Sequence, residues 1–269
     1  MTVRIEKSDV VTTITIDRPQ ARNAVDPATA DALYDAFVAF ENDAEARVAV
    51  LTGTDGTFCS GFDLKAASGF ANERRPLGEF DIPPGWNGKS ETTPRGPMGP
   101  SRLFLEKPLI AAIAGPAVAG GMELALLADM RVMEETAYMG VYCRRWGVPL
   151  IDGGTVRLPR LVGMGRAMDL ILTGRKVEAA ECAAIGLAER VVAEGSALET
   201  AQALAADIAR FPPECVRADR RAAYLGWGQP VHTALQYEWK SRQVLEREGI
   251  TGATQFAEGA GRSGTFETT

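Results

Sequence analysis

Gly115-Pro116-Ala117-Val118-Ala119-Gly120-Gly121-Met122-Glu123, together with Phe58-Cys59-Ser60-Gly61-Phe62-Asp63-Leu64, decides how this chain is read. Each stretch follows a run with the pattern of a buried strand, Leu109-Ile110-Ala111-Ala112-Ile113-Ala114 before the one and Val48-Ala49-Val50-Leu51-Thr52 before the other. Each also carries glycine where two backbones must approach closely. The first stretch opens an apolar helix that bears Glu123. A helix N-terminus has N–H groups without intrahelical partners and the positive end of the helix dipole. Two loops aiming such donors at one point form an oxyanion hole, suited to an enolate oxygen on a thioester carbonyl.

Working outward, further segments fall in a fixed order. They are Asp17-Arg18-Pro19-Gln20-Ala21-Arg22-Asn23-Ala24, Gly153-Gly154-Thr155-Val156-Arg157-Leu158-Pro159-Arg160-Leu161-Val162-Gly163, Leu172-Thr173-Gly174-Arg175, Gly186-Leu187-Ala188 and Phe256-Ala257-Glu258-Gly259-Ala260-Gly261-Arg262. With these segments the chain resembles the crotonase superfamily, the enoyl-CoA hydratases and isomerases, over nearly its whole length. The resemblance implies an α/β fold built as a spiral of β-β-α turns, with a C-terminal helical region that packs between subunits of a homotrimer or a dimer of trimers. No internal sequence repeat shows that spiral independently. The division expected is a spiral core over 1–195 and a helical region over 196–269.

The resemblance also assigns roles. The amides of Phe62 and Gly120 match the family's oxyanion donors, and Glu123 matches one of the two carboxylates with which the hydratases add water to an α,β-unsaturated thioester. A partly desolvated glutamate exchanges protons near neutrality. The second carboxylate is absent: an ungapped count places Cys143 there. A thiol titrates near pH 8.5 when unperturbed, and Arg144 and Arg145 lower that only if their charges point inward. Cys143 is therefore read as a structural thiol lining the pocket, with a nucleophilic role as the alternative. Asp152 offers a substitute carboxylate, catalytic or water-orienting. It equally suits an N-cap before Gly153-Gly154-Thr155, which would depress its pKa. Arg22, Ala24, Ser60, Asp63 and Leu64 border the adenine and pantetheine path by the same resemblance, with Arg22 either paired to a coenzyme A phosphate or solvated in its turn.

The function so implied is that of an enoyl-CoA hydratase-like lyase acting on acyl-CoA thioesters, with an isomerase moving a double bond through Glu123 alone, or another crotonase-type acyl-CoA enzyme using Glu123, as the alternative. A catalytically silent acyl-CoA-binding protein is the reading of a different class. No cofactor is expected beyond the coenzyme A carried by the substrate.

Composition agrees. The 269 residues are 46% hydrophobic and 24% charged, in keeping with a folded chain. A formal charge of −6, from 29 Lys and Arg against 35 Asp and Glu, argues against nonspecific nucleic-acid binding. No apolar run reaches membrane-spanning length, and Met1-Thr2-Val3-Arg4-Ile5-Glu6-Lys7 lacks the apolar core of a secretory leader, so a cytoplasmic enzyme is expected. Cys59, Cys143, Cys182 and Cys215 are scattered and His232 is the single histidine, so no metal site is expected. Cys182 and Cys215 are read as buried or half-buried hydrophobes, and His232 as structural or surface.

Along the chain, Val10–Ile16 alternates like a half-buried strand, and Asp26-Pro27 marks a helix start before the stripe Leu33, Phe37, Phe40. Residues 66–100 are broken by Gly, Pro and charge into a long loop, where Phe80, Trp86 and Met98 either line the acyl tail or anchor the loop. Ser196 and Glu199 spell a capping box, and helices are expected over Val216–Leu225, Pro230–Arg247 and Thr251–Glu258.

Overall fold

Short β-branched and apolar runs alternate with helix-forming segments, and the computed structural model describes them over residues 1–69, 80–88 and 93–261. Arg74-Arg75-Pro76 of the long loop and Arg262 of the closing segment lie outside the described residues. Strands β1 (Val3–Ser8) and β2 (Val11–Ile16) precede helix α1 (Pro27–Asn42). The start of α1 is as expected: the extended Asp26 accepts the Thr29 N–H at 2.8 Å, and Pro27 fills the first turn, where a missing N–H costs nothing. Strand β3 (Val48–Gly53), α2 (Leu64–Gly69), β4 (Leu109–Ile113), β5 (Pro116–Val118) and α3 (Gly120–Leu127) follow. Then come β6 (Met130–Glu134), β7 (Tyr138–Gly140), α4 (Gly154–Val162), α5 (Met164–Thr173), β8 (Val177–Glu178), α6 (Ala179–Ala184) and β9 (Arg190–Val192). The chain closes with α7 (Ala197–Ala209), α8 (Pro213–Gly226), α9 (Val231–Trp239), α10 (Arg242–Val244) and α11 (Ile250–Ala257).

The large sheet runs β1-β2-β3-β4-β6-β9, with β1 antiparallel to β2 and every other pair parallel. A second layer, β5-β7-β8, is extended on its far side by single bridges, Cys59 to Ala117 and Val25 to Phe62. Each turn of chain thus lays one strand in the large sheet, a short extended segment in the small layer, and then a helix. This repeats for β2–Val25–α1, for β3–(59–62)–α2, for β4–β5–α3 and for β6–β7–α4, which is the β-β-α spiral. The small layer is where these turns stack Val25, Phe62, Cys59 and β5 side by side, and the ends of its segments build the site.

Both faces of the large sheet are covered. On one, Ile14, Ile16, Leu51, Leu109 and Ala111 pack with the α1 stripe Leu33, Phe37 and Phe40. On the other, Val48, Val50, Ile110 and Val132 meet Ala201 and Leu204 of α7. The expected half-buried β2 is therefore fully buried at all six positions, because α7, nearly two hundred residues later, closes its outer face. Gln202 of that helix even donates to Thr13 Oγ1 at 3.0 Å. The expected Ser196 capping box does not form: Ser196 sits in the right-handed helical region and its side chain caps nothing. The helix expected over Pro230–Arg247 ends at Trp239. Among the described residues no helix is long and apolar enough to cross a membrane.

Candidate active site

The two loops of the small layer meet. Val118 N–H donates to Cys59 O at 3.0 Å and Cys59 N–H to Pro116 O at 3.1 Å, so the segments run side by side. On the other edge, Val25 N–H donates to Gly61 O and Asp63 N–H to Val25 O, which turns the Phe62 N–H away from Val25. Gly61, at φ +97°, makes the crossing: a Cβ built there would lie 2.9 Å from Ala119 Cβ and 3.0 Å from Gly120 N. Only glycine fits both that angle and that gap. Gly120 is the first residue of α3, so its N–H has no carbonyl one turn back. The structure thus brings Phe62 and Gly120, 58 positions apart in sequence, to one place.

Helix α3 is apolar on every side and buried throughout, as a core helix must be, and Glu123 is its one charged residue. The residue before it, Ala119, takes φ +54° and ψ −126°, a region that a Cβ disfavours. That strain sets the direction of the Ala119–Gly120 peptide and hence of the Gly120 N–H. Ala119→Gly should relieve about 1–3 kcal/mol of strain against about 0.4–1 kcal/mol of added unfolded-chain freedom. A melting temperature raised by a few degrees in calorimetry is the expected outcome, and a lower one would contradict the strain.

Glu123 is 3% exposed. Its Oε1 accepts two backbone N–H groups, from Asp152 at 2.9 Å and Gly154 at 2.8 Å. Among the described residues no donor engages Oε2. Burial, then the nearby Asp152 charge, push its carboxyl up to about 7, against the pull of those two amides and of Arg157. A carboxylate poised near neutrality takes and returns protons with little driving force either way.

Asp152 departs from the N-cap alternative. The N-cap of α4 is Gly153, not Asp152, and no side chain caps that helix. The Asp152 carboxylate reaches the other way: its Oδ1 accepts the Met98 N–H at 3.0 Å and the Ser101 hydroxyl. Its pKa is raised rather than depressed, because burial outweighs the Ser101 and Met98 bonds. Cys143 is buried in the 3-10 turn Tyr142–Trp146, and burial followed by the Glu123 charge raises its thiol. Arg144 bonds Ile171 O at 3.1 Å and Arg145 lies over the Tyr142 ring at 3.7 Å. Neither offsets the burial, and a thiol raised in this way suits a structural pocket residue better than a nucleophile.

The residues expected along the adenine and pantetheine path separate into two groups. Arg22 is exposed at φ +50°, with its carbonyl accepting the Ser60 N–H at 3.2 Å, and Leu64 is 44% exposed. Ser60 Oγ donates to Ala21 O at 3.3 Å. Ala24 is buried, and Asp63 is committed to Arg18 at 3.2 Å and to the Lys65 N–H at 3.0 Å. Arg22, Ser60 and Leu64 therefore form the accessible rim, while Ala24 and Asp63 brace it from inside.

The long loop also divides. Met98 is fully buried over the donor, its Sδ 2.6 Å from where a Cβ on Gly120 would sit. Phe80 anchors, its carbonyl accepting Arg102 Nη1 at 2.6 Å and its ring lying 4.8 Å from Arg95. Trp86 faces a cavity of about 900 Å³ bordered by Leu103, Phe104, Tyr224 and Trp227, which touches Gly153 and Arg157 but is not lined by Phe62, Gly120 or Glu123. Of the other sequence expectations, His232 is exposed and Cys182 buried, whereas Cys215 is exposed. The sequence gives no pointer to Ser101 or Arg157, both bonded to Asp152: Ser101 only follows the broken loop, and Arg157 is one of two arginines in the Gly153–Gly163 segment.

Comparison with known proteins converges on one group. The enoyl-CoA hydratase/isomerase family model matches residues 6–84 and 101–258, leaving out the stretch that carries Trp86 and Met98. An enoyl-CoA hydratase of Mycobacterium tuberculosis is 37% identical over 94% of this chain and 92% of its own length. A carnitinyl-CoA dehydratase of Salmonella typhi is 34% identical over 87% and 85%. Among solved structures, an enoyl-CoA hydratase from Mycobacterium tuberculosis superposes with a TM-score of 0.84 at 36% identity, covering 96% of each chain. One from Bacillus anthracis gives 0.83 at 30% identity, again over 96% of each.

Proposed function

This chain belongs to the enoyl-CoA hydratase/isomerase family, and on that premise we propose that it adds water across the double bond of an α,β-unsaturated acyl-CoA thioester. The observation that carries the reading is the placement of Glu123. One carboxylate oxygen is pinned by two amides, the other is left for chemistry, and Gly120 N–H lies one helical turn away.

In this mechanism the thioester oxygen sits between the Phe62 and Gly120 amides. Glu123 takes a proton from water as the water oxygen bonds to the β-carbon. The electron pair of the double bond moves onto the thioester, and the resulting enolate oxygen is stabilised by the two donors and the α3 dipole. Glu123 then returns that proton to the α-carbon. One water is consumed and no charge is left over, so a single carboxylate completes the cycle without a second at position 143. Asp152 assists by its charge, which keeps Glu123 basic, and by tying Met98 to the turn that holds Glu123. No group beyond the substrate's own coenzyme A enters. Its phosphates meet the exposed rim at Arg22, beside Ser60 and Leu64.

The second reading, a double-bond isomerase, rests on the same carboxylate, since Glu123 alone also suffices to move a proton between two carbons. Loss of the conjugated thioester absorbance on mixing with short and medium enoyl-CoAs, with a 3-hydroxyacyl product by mass, is expected of the hydratase. Gain of conjugation from a 3-enoyl-CoA without added water marks the isomerase instead, and binding without turnover across chain lengths removes both. Working in the cytoplasm, the subunits assemble as a trimer or a dimer of trimers, which would cover Val231, Leu235 and Trp239 of α9, all more than half exposed in the single chain.

A further inference from the structure

We propose that Arg157 is a positioning residue for this reaction: its guanidinium grips the carbonyls of Asp152 and Ser101 at once, and so fixes the turn whose amides aim Glu123. The inference rests on Glu123 being the proton-transfer group.

The geometry is a closed ring. Arg157 Nη1 donates to Asp152 O at 3.1 Å and Nη2 to Ser101 O at 2.7 Å. Ser101 in turn donates its hydroxyl to Asp152 Oδ1, which also accepts the Met98 N–H at 3.0 Å. Three segments are thereby locked together: the end of the long loop, the 152–154 turn and the first turn of α4. The guanidinium lies so close over Gly153 that a side chain there would collide with Nη1. The Asp152 carbonyl that Arg157 holds lies between the two amides that bond Glu123 Oε1. Letting that carbonyl swing would turn the Gly154 N–H away and free the carboxylate to rotate. The same ring seats Met98 over Gly120, so one side chain couples the direction of Glu123 to the cover on the oxyanion donor.

Arginine suits this task and lysine does not, because two carbonyls in different segments need the planar fork rather than a single ammonium. The charge matters separately. The groups facing Glu123 are Asp152 from the turn, Arg157 from α4 and the Cys143 thiol from its 3-10 turn, with Arg102 acting on Asp152. Removing the Arg157 charge takes away an attraction that lowers the Glu123 carboxyl and so makes Glu123 harder to ionise.

The test compares pH profiles of Arg157→Gln and Arg157→Lys on an enoyl-CoA, each alone and with Glu123→Gln. Arg157→Gln should lower kcat by about 10- to 100-fold with KM little changed. Its acidic limb should move up by about one pH unit. Arg157→Lys should keep the limb near its original position yet not restore kcat. Combined with Glu123→Gln, either change should cost less than about twofold more, since the group it positions is gone. Melting temperatures of all variants separate misfolding from misplacement, and the lysine variant reads the same two quantities if the glutamine variant does not fold. An unmoved limb with equal losses in both backgrounds overturns the proposal, as does a lysine variant with full kcat. Full activity of Glu123→Gln overturns the reading of Glu123 itself and is distinguishable from either.

Discussion

Glu123→Gln should lower kcat/KM for enoyl-CoA hydration by about 100- to 10,000-fold while making the folded protein more stable at pH 8. Both effects come from the same burial. Glutamine keeps an oxygen for the Asp152 and Gly154 amides but neither takes nor returns a proton. The folded carboxyl holds its proton up to about 7, whereas the ordinary value is 4.5. Below the ordinary value both states are protonated and the residue is neutral in its effect. Between the two values the unfolded chain releases a proton that the folded chain keeps, so stability falls as pH rises through this window. Above it the full penalty applies, on the order of 3 kcal/mol. Thermal unfolding at pH 8 should therefore favour the glutamine variant, with the difference disappearing by about pH 4.5. In the parent enzyme kcat/KM should fall about tenfold for each pH unit below the Glu123 pKa. A variant that retains activity, or is less stable at pH 8, would contradict this picture.

The second large effect concerns the crossing of the two loops. Gly61→Ala should lower kcat by about 100- to 1,000-fold, the cost of one misaligned oxyanion donor. The added methyl meets Ala119 Cβ and Gly120 N at 2.9 and 3.0 Å, and it does so at φ +97°. The conflict is with backbone, which yields only by moving the Gly120 amide away from Phe62. Gly56→Ala is the control: φ is +62° there as well, but nothing lies within 4 Å of the new methyl. It should share the conformational penalty of about 1–3 kcal/mol without the loss of rate. Measuring kcat and melting temperature for the pair separates strain from donor geometry, and equal rates in the two variants would refute the role of the crossing.

What the sequence made legible was mostly local. Asp26-Pro27 starts α1 because cap and first-turn proline act within four residues. The two glycine-bearing loops were recognisable because close backbone approach leaves a compositional trace. The spiral itself came from resemblance to a family, since its four turns share a geometry and no residue pattern. The failures share one physical cause, partners distant in sequence. β2 looked half-buried because nothing near it announces that α7 covers its second face. Asp152 looked like a cap because its real partners, Met98 and Ser101, lie some fifty residues earlier in a loop without periodicity. The proton affinity of Glu123 was anticipated in direction from desolvation, but the Asp152 charge that adds to it depends on the same long-range fold.

The most direct measurement is a crystal structure with an unreactive acyl-CoA thioester bound. The carbonyl oxygen should lie about 2.7–3.1 Å from both Phe62 N and Gly120 N, with Glu123 Oε2 facing the α- and β-carbons. A thioester oxygen held elsewhere, or bonded by only one of those amides with Glu123 turned aside, would contradict the mechanism.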